Sequence, residues 1–345
     1  MGLIQGRPTL DEVLARQRAS ARGRFIADRL LRQSTLLQLL EFVDDVIPNG
    51  RSGRIVYPYQ RKSVARVAQL RQYYTDYTPR YTTGEEDAFS VLRPMGDAFE
   101  TDRVFVRAEA QWIQEQIDNM APAIRNLFTD LTINGNPAAN ALEFEGLSSL
   151  LSGTPQEIDA SGMDFSADSS ATDRQYREML GSIRREINNL RALGLTPVIL
   201  GNGDLLHRIG MLWENLFPGY QSTPDMFGVN EIDRINGAYM IDSGLVNRIV
   251  GAADPVTRIV PVEQAEVIPV AQGLTDMYIV GISRENGFAG VTLDGTAGVE
   301  PIQYETQRND SGVLRRFEAE LVGGVVLLDE RAAVVYRNLR VSKAA

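Results

Sequence analysis

The chain has 345 residues, 43% hydrophobic and 8% aromatic, which fits one large unit or two packed domains and excludes wholesale disorder and fibrous repeats. Thirty-five basic residues against 45 acidic ones give a net charge of -10, which argues against a protein that coats nucleic acid over its whole surface. The absence of cysteine excludes disulfides, zinc–thiolate sites, iron–sulfur clusters and thiol nucleophiles, and the single histidine, His207, excludes multi-histidine metal sites.

No apolar run reaches the ~18 to 20 residues that a membrane span needs, and the N-terminus lacks the apolar centre of a secretory signal. No membrane partner is expected, and the chain is expected to be soluble and intracellular at synthesis. Lys62 and Lys343 are the only lysines among the 35 basic residues. A GC-rich genome accounts for that bias, and so does a preference for bidentate contacts between protein surfaces.

Residues 9–45 are predicted to be helical: Thr9 can cap, Glu12 completes a capping box, and Leu30, Leu31, Leu37, Leu40 and Val43 recur at helical spacing. Residues 1–34 carry seven arginines against three acids, a net of +4, which leaves -14 on the remainder. Arg16, Arg18, Arg22 and Arg24 are the candidate contact residues of this basic arm. It is either a solvated helix or an arm that reaches a neighbouring subunit or an acidic partner. Pro48-Asn49-Gly50 is expected to end the helix.

Residues 51–107 have β-type content, from Val56, Tyr57 and Tyr59 to a return leg through Phe89, Val91, Phe99, Val104 and Val106, and read as a long, protruding hairpin. The first leg, 51–80, has a net charge of +6 and the second, 81–102, of -5. Opposite charges facing each other within the hairpin explain this, and so does a hairpin that lies over an adjacent copy. The candidate contact residues are Arg61, Lys62, Arg66, Arg71, Glu85, Glu86 and Asp87.

Between 108 and 133, Ile113, Ile117, Met120, Ile124, Leu127 and Leu131 form the seam of a long helix, with a kink expected near Asn119 because of Pro122. Asn134-Gly135-Asn136-Pro137 closes it. An acidic small-residue loop occupies 152–171. A second helix is predicted from Thr172 to Leu193, a buried strand from Pro197 to Leu200, and a helix from Asp204, read as its cap, to Phe217. Residues 229–345 read almost entirely as strands.

No reaction is advertised. The turn Gly201-Asn202-Gly203 resembles a phosphate-binding turn, but Leu206 stands where the dinucleotide fingerprint needs Gly or Ala, and no βαβ unit precedes it. His207 has no nucleophile elbow beside it. Asp44-Asp45 and Glu85-Glu86-Asp87 lack a calcium-loop pattern and read as solvated carboxylates. No catalytic residue, cofactor or metal is expected.

The order of these elements resembles the major capsid proteins of tailed bacteriophages, the Hong Kong 97-type fold, over essentially the whole chain. NALEFEGLSSLLSG after the long helix resembles the family's FDGL-type segment and is followed by an isoleucine–acid pair, Ile158-Asp159. LGLTPVILGNGDLLHRI resembles the start of the axial domain. The strands from TDMYIVGIS to AAVVYRNL resemble the C-terminal strands.

The resemblance implies an α+β fold with an N-terminal arm at 1–50, an E-loop at 51–107, a peripheral domain at 108–171 and 275–345, and an axial domain at 172–274. It implies a non-enzymatic subunit that self-assembles into hexamers and pentamers of an icosahedral head in the host cytoplasm. The implied partners are scaffolding, portal and decoration proteins and weakly held double-stranded DNA. Some members of the family weld subunits by an isopeptide bond, for which Lys62 is the one donor in the hairpin; no acceptor asparagine or catalytic glutamate is matched. No maturation cleavage is expected. An encapsulin-like shell is the alternative, and a nucleotide-dependent enzyme using the Gly201 turn is a third reading.

Overall fold

The structure, a computed structural model, describes residues 35–43, 47–49, 54–63, 85–102, 104, 110–166, 169–217, 220–224, 231–246, 257–261, 263–265, 272–292, 303–308 and 314–343. The arm with Arg16, Arg18, Arg22 and Arg24, and the segment 64–84 with Arg66 and Arg71, lie outside the described residues. Helix α1 (Thr35–Leu39) leads to strands β1 (Phe42–Val43), β2 (Ile47–Asn49), β3 (Arg54–Lys62), β4 (Glu85–Val91) and β5 (Arg93–Asp102). Helices α2 (Ala110–Asn134) and α3 (Leu147–Leu151), strand β6 (Glu157–Asp159), helix α4 (Asp173–Ala192), strand β7 (Thr196–Gly201) and helix α5 (Gly203–Leu216) follow. The rest is β8 (Tyr220–Pro224), β9 (Glu231–Ile235), β10 (Ala238–Asp242), β11 (Leu245–Val246), β12 (Thr257–Arg258), β13 (Glu263–Ala265), β14 (Gln272–Ile282), β15 (Phe288–Thr292), β16 (Gln303–Arg308), β17 (Leu314–Leu327) and β18 (Ala333–Lys343).

The centre is β14, antiparallel to β7 from Met277↔Gly201 to Ile282↔Thr196 on one side and to β18 on the other. Met277, Tyr278, Ile279 and Val280 are all buried, because helices cover both faces of the sheet here; the strand therefore reads as a continuous apolar run and does not alternate. On one face Leu190 and Leu195 lie against Gly281, and Leu206 of α5 lies against Gly201. On the other face α3 brings Ser148 to Arg337 beside Tyr278. The whole sheet has thirteen strands, ordered β16-β17-β15-β14-β7-β10-β9-β8, with β1, β5, β6, β13 and β18 attached.

Local chemistry sets the helix ends. Thr172 and Gln175 form a reciprocal capping box at α4, and Gly194, at φ 78, lets the chain turn away after it. Of the predicted α2 seam, Met120, Ile124 and Leu131 are buried and Leu127 is half-buried, the side chains of Ile113 and Ile117 lie outside the described residues, Phe128 is buried beside the seam, and Pro122 lies inside that helix. Burying each such apolar side chain contributes about 1.5 to 3 kcal/mol.

Three expectations are corrected. The N-terminal helix does not continue to 45: after α1, Phe42 and Val43 pair in parallel with Gly290 and Val291 of β15, and Ile47–Asn49 pairs with β3, so Pro48 sits in a strand. Tertiary pairing outweighs the helical spacing here, and the Phe42 ring occupies the space that a side chain at 290 would fill. The second hairpin leg is also not one strand. β4 pairs with β3, but after Leu92 the chain changes partner and β5 pairs with β17. Finally, the cap of α5 is Asn202, whose side chain accepts from the Asp204 amide.

Candidate functional site

The described part of the hairpin lies on the body. Ile55, Tyr57 and Tyr59 pack on Val43, Leu92, Ala289, Val291, Val326 and Leu328. The ladder alternates as strand geometry requires, so Pro58, Gln60 and Lys62 face outward with their cross-strand partners Phe89, Asp87 and Glu85. Phe89 is 66% exposed, a large apolar side chain without cover among the described residues. The Tyr57 and Tyr59 rings stack with centroids 6.1 Å apart, and burial pushes the Tyr59 phenol up to about 12.

The hairpin is pinned at three depths. Ser90 Oγ donates to Val325 O at 2.9 Å, the Lys62 amide donates to Leu328 O at 2.9 Å, and the Arg61 guanidinium donates to Leu150 O at 2.8 Å. Arg61 also meets Glu330 at 3.4 Å. Asp329, next to that contact, is held by Arg331 through two parallel hydrogen bonds.

Of the sequence candidates, the structure brings Arg61, Lys62, Glu85, Glu86 and Asp87 together on two paired strands, with Lys62 opposite Glu85 and Arg61 opposite Glu86. The charge segregation read from the sequence thus coincides with register. Gln60 Nε2 donates to Asp87 Oδ1 at 3.4 Å.

Beneath the hairpin the segment after α2 makes a tight crossing. Gly146 N donates to Gly135 O at 2.8 Å, and Gly135 N donates to Leu131 O at 3.0 Å. A Cβ on Gly146 would stand 2.5 Å from Leu131 O, and one on Gly135 would stand 2.3 Å from Phe144 O. Phe144 and Leu147 on either side are buried, which gives the FEGL sequence a steric meaning: two apolar anchors and a position that admits no side chain.

A further cluster has no counterpart among the sequence candidates. Arg337 donates to Glu157 Oε1 at 2.9 Å, Asp276 Oδ2 at 2.6 Å, the Tyr278 hydroxyl at 3.0 Å, and Ser148 O and Oγ at 3.2 and 3.1 Å. It thereby joins α3, β6, β14 and β18. These acidic and hydroxyl partners outweigh desolvation and hold Arg337 firmly charged, while the Gly153 amide, and then Arg337, pull Glu157 below the usual carboxylate range. The Ile158-Asp159 pair marks this strand in the sequence; nothing in the spacing announces Arg337.

The nucleotide-like turn is closed from within. Asn202 is buried and its side chain bridges Asp204 N and Val260 O at 2.9 Å each. His207 is exposed on α5. Among the described residues no group of three or more His, Cys, Asp or Glu could hold a metal ion, and no helix is long and apolar enough to cross a membrane.

No family model and no curated protein matches the sequence. Solved structures do match the fold. The SrpI encapsulin complex from Synechococcus elongatus PCC 7942 aligns over 99% of this chain and 93% of that chain, with a TM-score of 0.52 and 12% identity. The capsid of the empty GTA particle aligns over 89% and 90%, with a TM-score of 0.51 and 10% identity. The capsid of the native GTA particle aligns over 89% and 91%, with a TM-score of 0.50 and 10% identity.

Proposed function

From a chain that has the α+β architecture of shell-forming subunits, the Hong Kong 97-type fold, we infer a structural, non-enzymatic subunit that self-assembles into a closed shell, and specifically the major capsid protein of a phage-type head. The observation that carries this reading is that the fold agrees with the capsid of the empty GTA particle over 89% of this chain and 90% of that chain. In this reading the subunits form hexamers and pentamers around double-stranded DNA in a virion head built in the host cytoplasm. Residues 1–50, 51–107, 108–171 with 275–345, and 172–274 act as arm, E-loop, peripheral and axial domains. Scaffolding, portal and decoration proteins are its further partners.

The outward face of the hairpin supports self-association. Phe89, at 66% exposure, lies opposite Pro58 on this face, and the polar pairs Gln60 with Asp87 and Lys62 with Glu85 follow along the ladder to one side of it, an apolar anchor beside a polar flank. The net charge of -10 suits a shell whose lining must let packaged DNA move.

An encapsulin-like compartment is the second reading, favoured by the alignment with the SrpI encapsulin over 99% of this chain. Negative-stain electron microscopy of the purified protein, after size exclusion with light scattering, tests the shared part. Closed shells, sheets or capsomer rings are expected, and a monomer of 38.2 kDa that persists with a co-expressed scaffold overturns it. The contents separate the two readings: nuclease-protected DNA in the particles favours the capsid, protein cargo the encapsulin.

A further inference from the structure

Strands β5 and β17 are paired from Leu314↔Asp102 to Gly323↔Arg93, with β16 on the other edge of β17, and this part of the sheet has two unlike faces. On the inner face Phe99 stacks on Phe317, with ring centroids 4.9 Å apart, and meets Trp112 of α2 edge-on at 6.0 Å. On the outer face the register sets Gly96 opposite Glu320, Ala98 opposite Glu318 and Glu100 opposite Arg316. Arg316 is drawn onto Glu318 at 3.2 Å. At these three register positions the two strands present three carboxylates and one guanidinium, and on β5 the two smallest side chains stand beside Glu318 and Glu320. The result is a shallow acidic trough.

The adjoining backbone edge is not offered for strand addition at its middle. The Ala98 amide is taken by the Asp97 carboxylate at 2.8 Å, a local cap that blocks a pairing strand and adds a further negative charge at the rim. What this surface presents is charge and shallow shape, which suits long cationic side chains laid across it.

The segment of this chain with the complementary charge is residues 1–34, at +4, with Arg16, Arg18, Arg22 and Arg24 within nine positions. Extended, 34 residues span up to about 110 Å, enough to reach beyond their own copy. We propose that the acidic outer face of β5 and β17 is the docking surface for the basic N-terminal arm of a second copy of this chain. The proposal rests on the shell-subunit reading and adds to it which surface the arm occupies.

The absence of native cysteine makes a cross-linking test clean. Ala21→Cys and Ala98→Cys are introduced together and singly into the full chain, and assembled particles are treated with a short bismaleimide. The expected result is covalent dimers and longer ladders on a denaturing gel that need both cysteines and fall several-fold at ~1 M salt, where screening shortens to ~3 Å. Glu318→Gln with Glu320→Gln, which keeps size and removes charge, is expected to lower the yield to a similar degree.

Particles that form without any cross-link, or a cross-link confined to single chains, overturn the arm docking while leaving the shell reading intact. A yield indifferent to both salt and the glutamine variants overturns it as an electrostatic contact. Protein that stays monomeric by electron microscopy even with a co-expressed scaffold, and gives no cross-link, overturns both.

Discussion

Arg337 at the centre of the sheet and Arg61 on the hairpin are similarly hidden, at 19% and 17% side-chain exposure, yet they are held in different ways. Arg337 has five acceptor atoms on three other elements, all of them ordered by buried strands or by α3. Arg61 has a carbonyl of α3 and one carboxylate at 3.4 Å, and the ribbon that carries it touches the body along one face. The contrast separates two jobs for one residue type. In the centre the guanidinium is part of what makes the fold unique; on the hairpin it ties the ribbon to α3 and Glu330.

The largest effect is expected at the α2–α3 crossing, on which both regions rest. Gly146→Ala places a Cβ against Leu131 O where neither backbone can yield cheaply, and should cost about 3 kcal/mol in chemical unfolding. A variant as stable as its parent would show that the α2–α3 crossing is looser than described.

Arg337→Leu comes next, at about 2 kcal/mol, because it leaves Glu157 and Asp276 facing each other without their cation. Arg337→Lys should recover little, since an ammonium cannot make the forked set of contacts. Full rescue by lysine would reduce the cluster to simple charge balance.

Arg61→Ala should change global stability by about 1 kcal/mol or less, while speeding limited trypsin cleavage at Lys62. The contrast between the two arginines fails if Arg61→Ala and Arg337→Leu destabilise equally. The smallest effect is alkaline. Burial raises the folded-state pKa of Tyr59 from 10.0 to about 12, so its neutral form is favoured by folding. Its contribution is fully present below pH 10 and is lost as pH rises from 10 through 12. In absorbance titration, Tyr59→Phe should remove one late-ionising phenol; titration of the missing group near 10 would place Tyr59 in water.

The helices were largely legible. The α2 seam at Met120, Ile124 and Leu131 and the span of α4 between Thr172 and Leu193 are local signals, and the structure realises both. Strand partners were not, because pairing is decided by residues far away in sequence. Nothing near Leu92 says that the chain leaves β3 there for β17, and nothing near Phe42 says that a glycine at 290 leaves room for its ring. The candidate charges of the hairpin were visible as a pattern, and their register was not. Arg337 was invisible for the same reason: its partners lie between 59 and 189 positions away.

That remoteness bears on how the chain comes off the ribosome. Strands β1, β5 and β6, all from the first 160 residues, find their partners in β15, β17 and β18, all after residue 287. The Ser90–Val325 bond spans 235 positions and the Arg284–Glu41 bond 243. Closing loops of that length before any native contact rewards them makes folding slow, and an amino-terminal half without its partners displays unpaired strand edges throughout synthesis. Translation pauses or fragments ending before β17 should therefore yield aggregates, and full-length chains released together should gain most from a chaperone that holds the early half until the last sixty residues arrive.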